Sequence, residues 1–280
     1  MLAAGAAPAT PRDLRVSYAS LCGNIGAMAE QRAPRLAVLI DADNASPRIA
    51  PGLFQEIAKI GEASLRRIYG DFSSPRLKGW TDLLSVHAIM PYQNFAHTPG
   101  KNASDIALVI DAMDLLHGAR FDGFCLVSSD SDFTRLAARI REQGVDVYGF
   151  GERKTPESFR QACSRFVYTE NLLPETLAPV SPDHASTTLV SARQSPTAAV
   201  PLIRTALAQL DVDEGGGWTP LGRVGQQLAI LAPDFDPRTY GQAKLSDLVT
   251  KVGLFEIRNS EAGAVQIRTK PTRGAGVRKA

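Results

Sequence analysis

The stretch Leu36 to Asn44 reads LAVLIDADN: five consecutive apolar residues, Leu36 to Ile40, run straight into Asp41, Asp43 and Asn44. A short unbroken apolar run suits a strand buried on both faces, as in a parallel sheet. Carboxylates at its end fall where open α/β sheets bind ligands, outside the carboxyl ends of the strands. A second stretch repeats the design. Phe124 to Val127 is apolar and leads into Ser128, Ser129, Asp130, Ser131 and Asp132. Two buried strands that each end in paired aspartates are the main reason to expect chemistry in this chain.

Working outward, Ser46 and Pro47 signal a helix start, and Phe54, Ile57 and Ala58 follow helical spacing. Leu65 to Tyr69 reads as a strand, Arg76 to Val86 as a helix, and Ala88 to Tyr92 as a strand. Pro91 within that strand assigns it to a sheet edge. Asn94 to Lys101 is a polar loop. Ile106, Val109, Ile110, Met113 and Leu116 predict one apolar stripe on a helix from Ser104 to His117, with Asp105 in its first turn. Asp111 and Asp114 point away from Asp105 on a helical wheel and read as solvated charges. After the second key strand come a helix ending at Gly144, a strand from Val145 to Phe150, a helix from Thr155 and a last strand from Arg165 to Tyr168. This alternation predicts an α/β fold with a mostly parallel sheet covered on both faces, over residues 36–173.

The flanks differ in character. Residues 1–35 show no convincing element and no signal-peptide pattern, and read as disordered or as an extension upstream of a true start at Met28. Residues 174–199 are rich in Pro, Ser, Thr and Ala and read as a flexible linker. Residues 200–268 carry three helical patterns and two short strands around a turn at Asn259 to Gly263, which suggests a small winged helix-turn-helix. The tail, 269–280, reads as disordered and cationic.

Bulk properties narrow the class. The 280 residues carry a formal net charge of +2, too small to argue for a partner. Three cysteines lack metal spacing, and the four histidines show no ligand pairing. Cys125, inside an apolar run, reads as a core residue. No run is long enough to span a bilayer, and the expectation is a cytosolic protein.

The candidate site is the set Asp41, Asp105, Asp130 and Asp132. Several carboxylates in one pocket repel and need a cation or shifted protonation. Mg²⁺ and Mn²⁺ prefer oxygen ligands, and no His or Cys cluster competes. Such an ion can generate an attacking hydroxide and stabilise a phosphoryl oxygen, which points to phosphate-ester hydrolysis. Asp and Ser after a strand also serve as turn residues and helix caps, so Asp130 or Ser131 could cap the next helix and Asp43 could be a turn residue. Lys101 could hold a phosphate as a point charge or be a solvated loop lysine. Asn44 could orient the Asp41 carboxylate or stabilise its own turn. Ser129 joins Asn44 and Lys101 as a candidate substrate contact.

IDADN, then GKNASDIALVIDAMDLL, then LVSSDSDF resemble the NYN domain family, a branch of the PIN-like nucleases. The resemblance spans about Leu36 to Leu173 and includes motif order. It implies a three-layer fold and metal-dependent ribonuclease activity. Asp41 matches the acid after the first strand, Asp105 the acid of the central helix, and Asp130 and Asp132 the acids of SDSDF. Asn44 and Lys101 match the Asn of the first motif and the basic residue before the central acid. GGWTPLGRVGQQL, DFDPRTYGQAKLSDLV and GLFEI resemble a LOTUS (OST-HTH) domain. That likeness implies a winged helix that binds RNA or a protein partner, with Arg238, Tyr240 and Lys244 as candidate nucleic-acid contacts.

Two other readings stay open. Asp41-Ala42-Asp43 also resembles the DxD of haloacid-dehalogenase-like phosphatases, with Asp41 as nucleophile, although Ala45 and the lack of a cap insertion depart from that pattern. A non-catalytic RNA-binding adaptor is the third.

Overall fold

The structure, a computed structural model of the chain, describes residues 32–94, 103–173, 193–210, 217–260 and 263–270. Met28, Lys101, residues 95–100 of the expected loop, residues 174–192 of the expected linker and residues 271–280 of the basic tail lie outside them.

The first module is a six-stranded, wholly parallel sheet: β1 (Arg35–Asp41), β2 (Glu62–Gly70), β3 (Met90–Gln93), β4 (Gly123–Val127), β5 (Asp146–Gly151) and β6 (Arg165–Tyr168). Their spatial order is β3-β2-β1-β4-β5-β6. The chain winds outward from β1 in one direction, returns, and winds outward from β4 in the other. The crevice between β1 and β4 is therefore the switch point where such sheets bind ligands.

Alternation along the strands builds the two cores. Ala37 and Leu39 of β1 and Phe124 and Leu126 of β4 face one layer, with Leu108, Ala112, Leu136 and Phe159 of the covering helices. Leu36, Val38 and Ile40 face the other, with Cys125, Val127, Leu53, Ile57 and Trp80. With both faces covered, the central strands need the unbroken apolar runs seen in the sequence. Cys125 is fully buried, as a core residue should be, and burial pushes its thiol up. Pro91 sits in β3, an edge strand of the sheet, as expected.

Two helical expectations need correction. The helix expected over 76–86 is only a 3₁₀ turn, Pro75–Leu77, and one α turn, Lys78–Thr81. The Leu83 and Leu84 amides then donate three residues back, to the Trp80 and Thr81 carbonyls, which breaks the α pattern. Trp80 pins the segment by donating its indole N–H to the Ala45 carbonyl at 2.9 Å.

The central helix, Ala103–His117, forms as expected but is rotated. Leu108, Ala112, Leu115 and Leu116 are its buried residues, whereas Ile106 and Ile110 are 61% and 58% exposed. Asp111 is not a solvated charge: it accepts from Arg67 Nη1 and the Tyr69 hydroxyl on β2. Apolar residues lie all round this helix, so the stripe can be drawn in two phases, and the Asp111 contacts favour the phase that faces it to the sheet.

The second module has helices Val200–Leu210, Leu221–Leu231 and Leu245–Val252 around its own core, which includes Ile203, Leu207, Val224, Leu228, Leu248 and Ile267. A 3₁₀ turn, Pro196–Ala199, precedes the first helix, and Ala199 is buried, so ordered chain begins before residue 200. A short strand, β7 (Thr219–Pro220), joins the expected hairpin, β8 (Phe255–Asn259) and β9 (Val265–Thr269), in an antiparallel sheet ordered β7-β9-β8. No helix among the described residues is long and apolar enough to cross a membrane.

The modules meet along β6. The Phe166 amide donates to the Pro233 carbonyl at 2.8 Å. Asp234 accepts from the Tyr168 hydroxyl at 2.6 Å and from Arg160 Nη1. Glu56, 4% exposed, accepts from Lys59 Nζ at 2.8 Å and from Arg238 Nη1 and Nη2 at 3.0 and 3.2 Å. Arg238 is held in turn by Asp236, 2.6 Å from Nη2. Burial works to raise the Glu56 carboxyl, but Lys59 and Arg238 outweigh it and hold it low.

Replacing Glu56 with Gln leaves Arg238 facing Asp236 alone in a half-buried place. We expect thermal unfolding to show a loss of about 2 kcal/mol, below the ~3–5 kcal/mol of a fully buried pair because Arg238 keeps some solvent. Because the Glu56 value is lowered, its contribution is present at neutral pH and fades as pH drops through the carboxylate range. Wild type and E56Q should therefore converge in stability toward acid.

Candidate active site

The register of β1 and β4 builds the site. Ile40 pairs with Val127, so the next residues, Asp41 and Ser128, leave the sheet side by side. Asp41 is 1% exposed, and a buried carboxylate must be met by donors. Ser128 Oγ donates to Asp41 Oδ2 at 2.7 Å, and Asn44 Nδ2 donates to the same oxygen at 2.9 Å. The backbone N–H groups of Asp43 and Asn44 donate to Oδ1 at 3.1 and 3.3 Å. Burial raises the Asp41 carboxyl, and these donors oppose the shift. The Asn44 side chain thus faces Asp41, and the turn is closed by the Asp41 carboxylate accepting the Asp43 and Asn44 amides.

Ser128 also accepts from the Asp130 amide at 3.0 Å, which ties the two strand-end motifs together. Asp130, in extended conformation, caps the 3₁₀ turn Ser131–Phe133 by accepting the Asp132 amide at 2.9 Å. Behind this shelf, Gly151 at the end of β5 lets the backbones close in, since a Cβ there would lie 2.6 Å from the Ser128 carbonyl oxygen.

Asp105 enters from the first turn of the central helix. Its carboxyl is pushed up to about 6, first by burial and then by Asp41, Asp130, Asp43 and Asp132. Residues scattered over some 90 positions of sequence therefore bear on one another at one edge of the sheet. Asp43, read from sequence as a turn residue, is part of this field, and it accepts from Ser104 Oγ at 3.3 Å.

Ser128 was not singled out by sequence, but the signal was there. Aligning the ends of the two apolar runs sets it beside Asp41. Ser129, which sequence favoured, instead accepts the Glu152 amide at 2.9 Å and lines a small recess with Asn44, Ser46, Gly151 and Glu152. In the second module, Arg238 is committed to Glu56 and Asp236, Tyr240 packs on Phe235 at 5.8 Å between ring centroids, and Lys244 is exposed at the start of the third helix.

The donor set is all-oxygen, as a hard cation prefers, and the neighbouring acids act to raise Asp105. Among the described residues, no three His, Cys, Asp or Glu side chains converge closely enough to enclose a metal ion.

A three-layer parallel sheet with acids gathered at its switch point defines a PIN-like α/β domain, here followed by a small winged-helix module. The chain contains an NYN domain, matched over residues 35–173, and an OST-HTH/LOTUS domain, matched over residues 192–266. A protein of unknown function from Vibrio parahaemolyticus is similar at 20% identity and a TM-score of 0.42, over 50% of this chain and 96% of that one. An uncharacterised protein from Nitrosomonas europaea is similar at 31% identity and a TM-score of 0.26, over 36% of this chain and 96% of that one. No curated protein matches the chain.

The raised Asp105 value has a sign that can be checked. A carboxyl whose folded value, about 6, exceeds its unfolded 3.8 stabilises the fold below that lower value and loses the contribution as pH rises to about 6. In chelator, Asp105→Asn should melt near wild type at pH 4 and above it at pH 7. Ser128→Ala should cost about 1–2 kcal/mol by chemical denaturation, the range for stripping a donor from a buried acceptor.

Proposed function

We propose that the NYN domain is a metal-dependent ribonuclease that hydrolyses RNA phosphodiesters at the β1/β4 crevice, and that the C-terminal domain binds RNA. The observation that supports this most directly is the electrostatic convergence of Asp41, Asp130, Asp43 and Asp132 on Asp105. The match to the NYN domain adds the reaction class.

Asp41, Asp105, Asp130 and Asp132 would hold Mg²⁺ or Mn²⁺, some directly and the rest through water. A bound ion would supply a water of lowered pKa and a Lewis acid for the phosphoryl oxygen. The chain's own residues do the rest. Asp41, fixed by four donors, is the rigid negative floor of the crevice. Asp105 gains or loses a proton near pH 6 and is the acid whose charge state responds most to a cation. Asp130 orders the far wall through its cap. Ser129 and Asn44 shape the recess beside the acids, and Lys101 contributes a point charge to the substrate phosphate.

A second reading, the non-catalytic RNA-binding adaptor, draws on one feature: no three acids converge around an ion position among the described residues. The phosphatase reading is weaker. A nucleophilic Asp41 would have to present an oxygen that is buried and already accepting hydrogen bonds.

The test is cleavage of a mixed-sequence RNA pool with and without Mn²⁺, with sequencing of the ends produced. We expect Asp41→Asn and Asp130→Asn to cut the rate by at least ~100-fold, the scale on which acid–base and electrostatic groups act. Equal activity in wild type and both variants would falsify the assignment. RNA binding with no cleavage in any metal would favour the adaptor.

A further inference from the structure

The sheet of the C-terminal module has one face turned away from its core. In its sheet, Thr219, Ile257 and Ile267 lie in one row of the ladder; Thr219 and Ile267 are buried. Strand alternation places the neighbouring residues Trp218, Glu256, Arg258, Gln266 and Arg268 on the opposite, outward face. A Trp on an outward sheet face needs an explanation, since this is where polar residues belong. Its neighbours are cations. The Arg258 guanidinium carbon lies 4.3 Å from the Trp218 ring centroid and that of Arg268 lies 4.4 Å away.

The charge on this face is unevenly matched. Arg268 is paired with Glu256 at 2.5 Å. Arg258 is exposed, and its Nε donates to the neutral amide of Gln266 at 2.8 Å. Lys270, two residues beyond Arg268, donates its Nζ to the Gly253 carbonyl at 2.7 Å. By contrast, Arg238, the cation that sequence nominated for RNA, is turned to Glu56 and Asp236 in the joint between modules.

We propose that the outward face of this sheet, centred on Trp218, Arg258 and Arg268, is a binding site for single-stranded RNA. The inference rests on the reading of the C-terminal domain as an RNA-binding module and says which surface does the binding. The indole holds two flexible guanidinium groups over a rigid base, so less ordering is left to be done when a strand arrives. Arg258 meets a phosphate, and the guanidinium planes seated on the indole offer a stacking surface that unpaired bases use without regard to sequence. A duplex hides its bases and can use only the cations.

The experiment is fluorescence anisotropy with the full-length protein, a labelled mixed-sequence 20-nucleotide RNA and its duplex, in chelator so that cleavage is silent. Wild type should bind the single strand more tightly than the duplex. Arg258→Glu should weaken single-strand binding by about tenfold and flatten the salt dependence by about 0.7 or more in slope, one phosphate contact on a single strand. Trp218→Ala should weaken it by about tenfold, the scale of one stacked base, and Trp218→Phe should recover most of that. Arg258 is exposed, so Arg258→Glu should melt with wild type and keeps the test sound if Trp218→Ala folds poorly. Single-strand affinity of Arg258→Glu within twofold of wild type, or tighter binding of the duplex, overturns the proposal and returns this face to a protein partner. Mn²⁺-dependent cleavage by wild type, run in parallel, separates the two readings. Weakened binding by the variants without any cleavage upholds this surface and removes the nuclease, and cleavage with unaltered binding does the reverse.

Discussion

A carboxylate taken out of water has to be surrounded by donors, and Asp41 is where this chain meets that demand. Its two oxygens receive two side chains and two backbone amides. One of those donors, Ser128, comes from the far strand of the switch point and accepts from the Asp130 amide in turn. The geometry of both strand-end motifs therefore follows from a single buried charge. The fold makes this possible because β1 and β4 are adjacent and in a register that releases Asp41 and Ser128 at the same level.

The remaining acids crowd that fixed charge rather than relieve it. Asp105, supplied by a helix that the sheet must pack anyway, carries the strain as a raised proton affinity. Such an arrangement costs stability near neutral pH, where Asp105 is ionised among the other acids.

Much of this was legible in sequence because the strongest signals were the simplest. Unbroken apolar runs predicted the buried parallel strands, and Pro91 marked an edge. The acids at strand ends were visible as chemistry. The central helix was misread in phase because Ile106 and Ile110 imitate core positions while small Ala112 does the packing. Asp111 was misread because its partners, Arg67 and Tyr69, lie on a different element, and a helical wheel cannot see across elements. Arg238 looked free for the same reason, since Glu56 lies 182 positions away in sequence. Long-range ion pairs between modules leave no local pattern.

β6 is the last strand of its sheet, and the Phe166 amide finds its acceptor in Pro233 of the other module. A lone NYN domain cut after Leu173 would expose the Phe166 amide at that edge and leave Glu56 to Lys59 and Arg165 of its own module. The winged-helix module thus also caps an edge of the sheet it leans on.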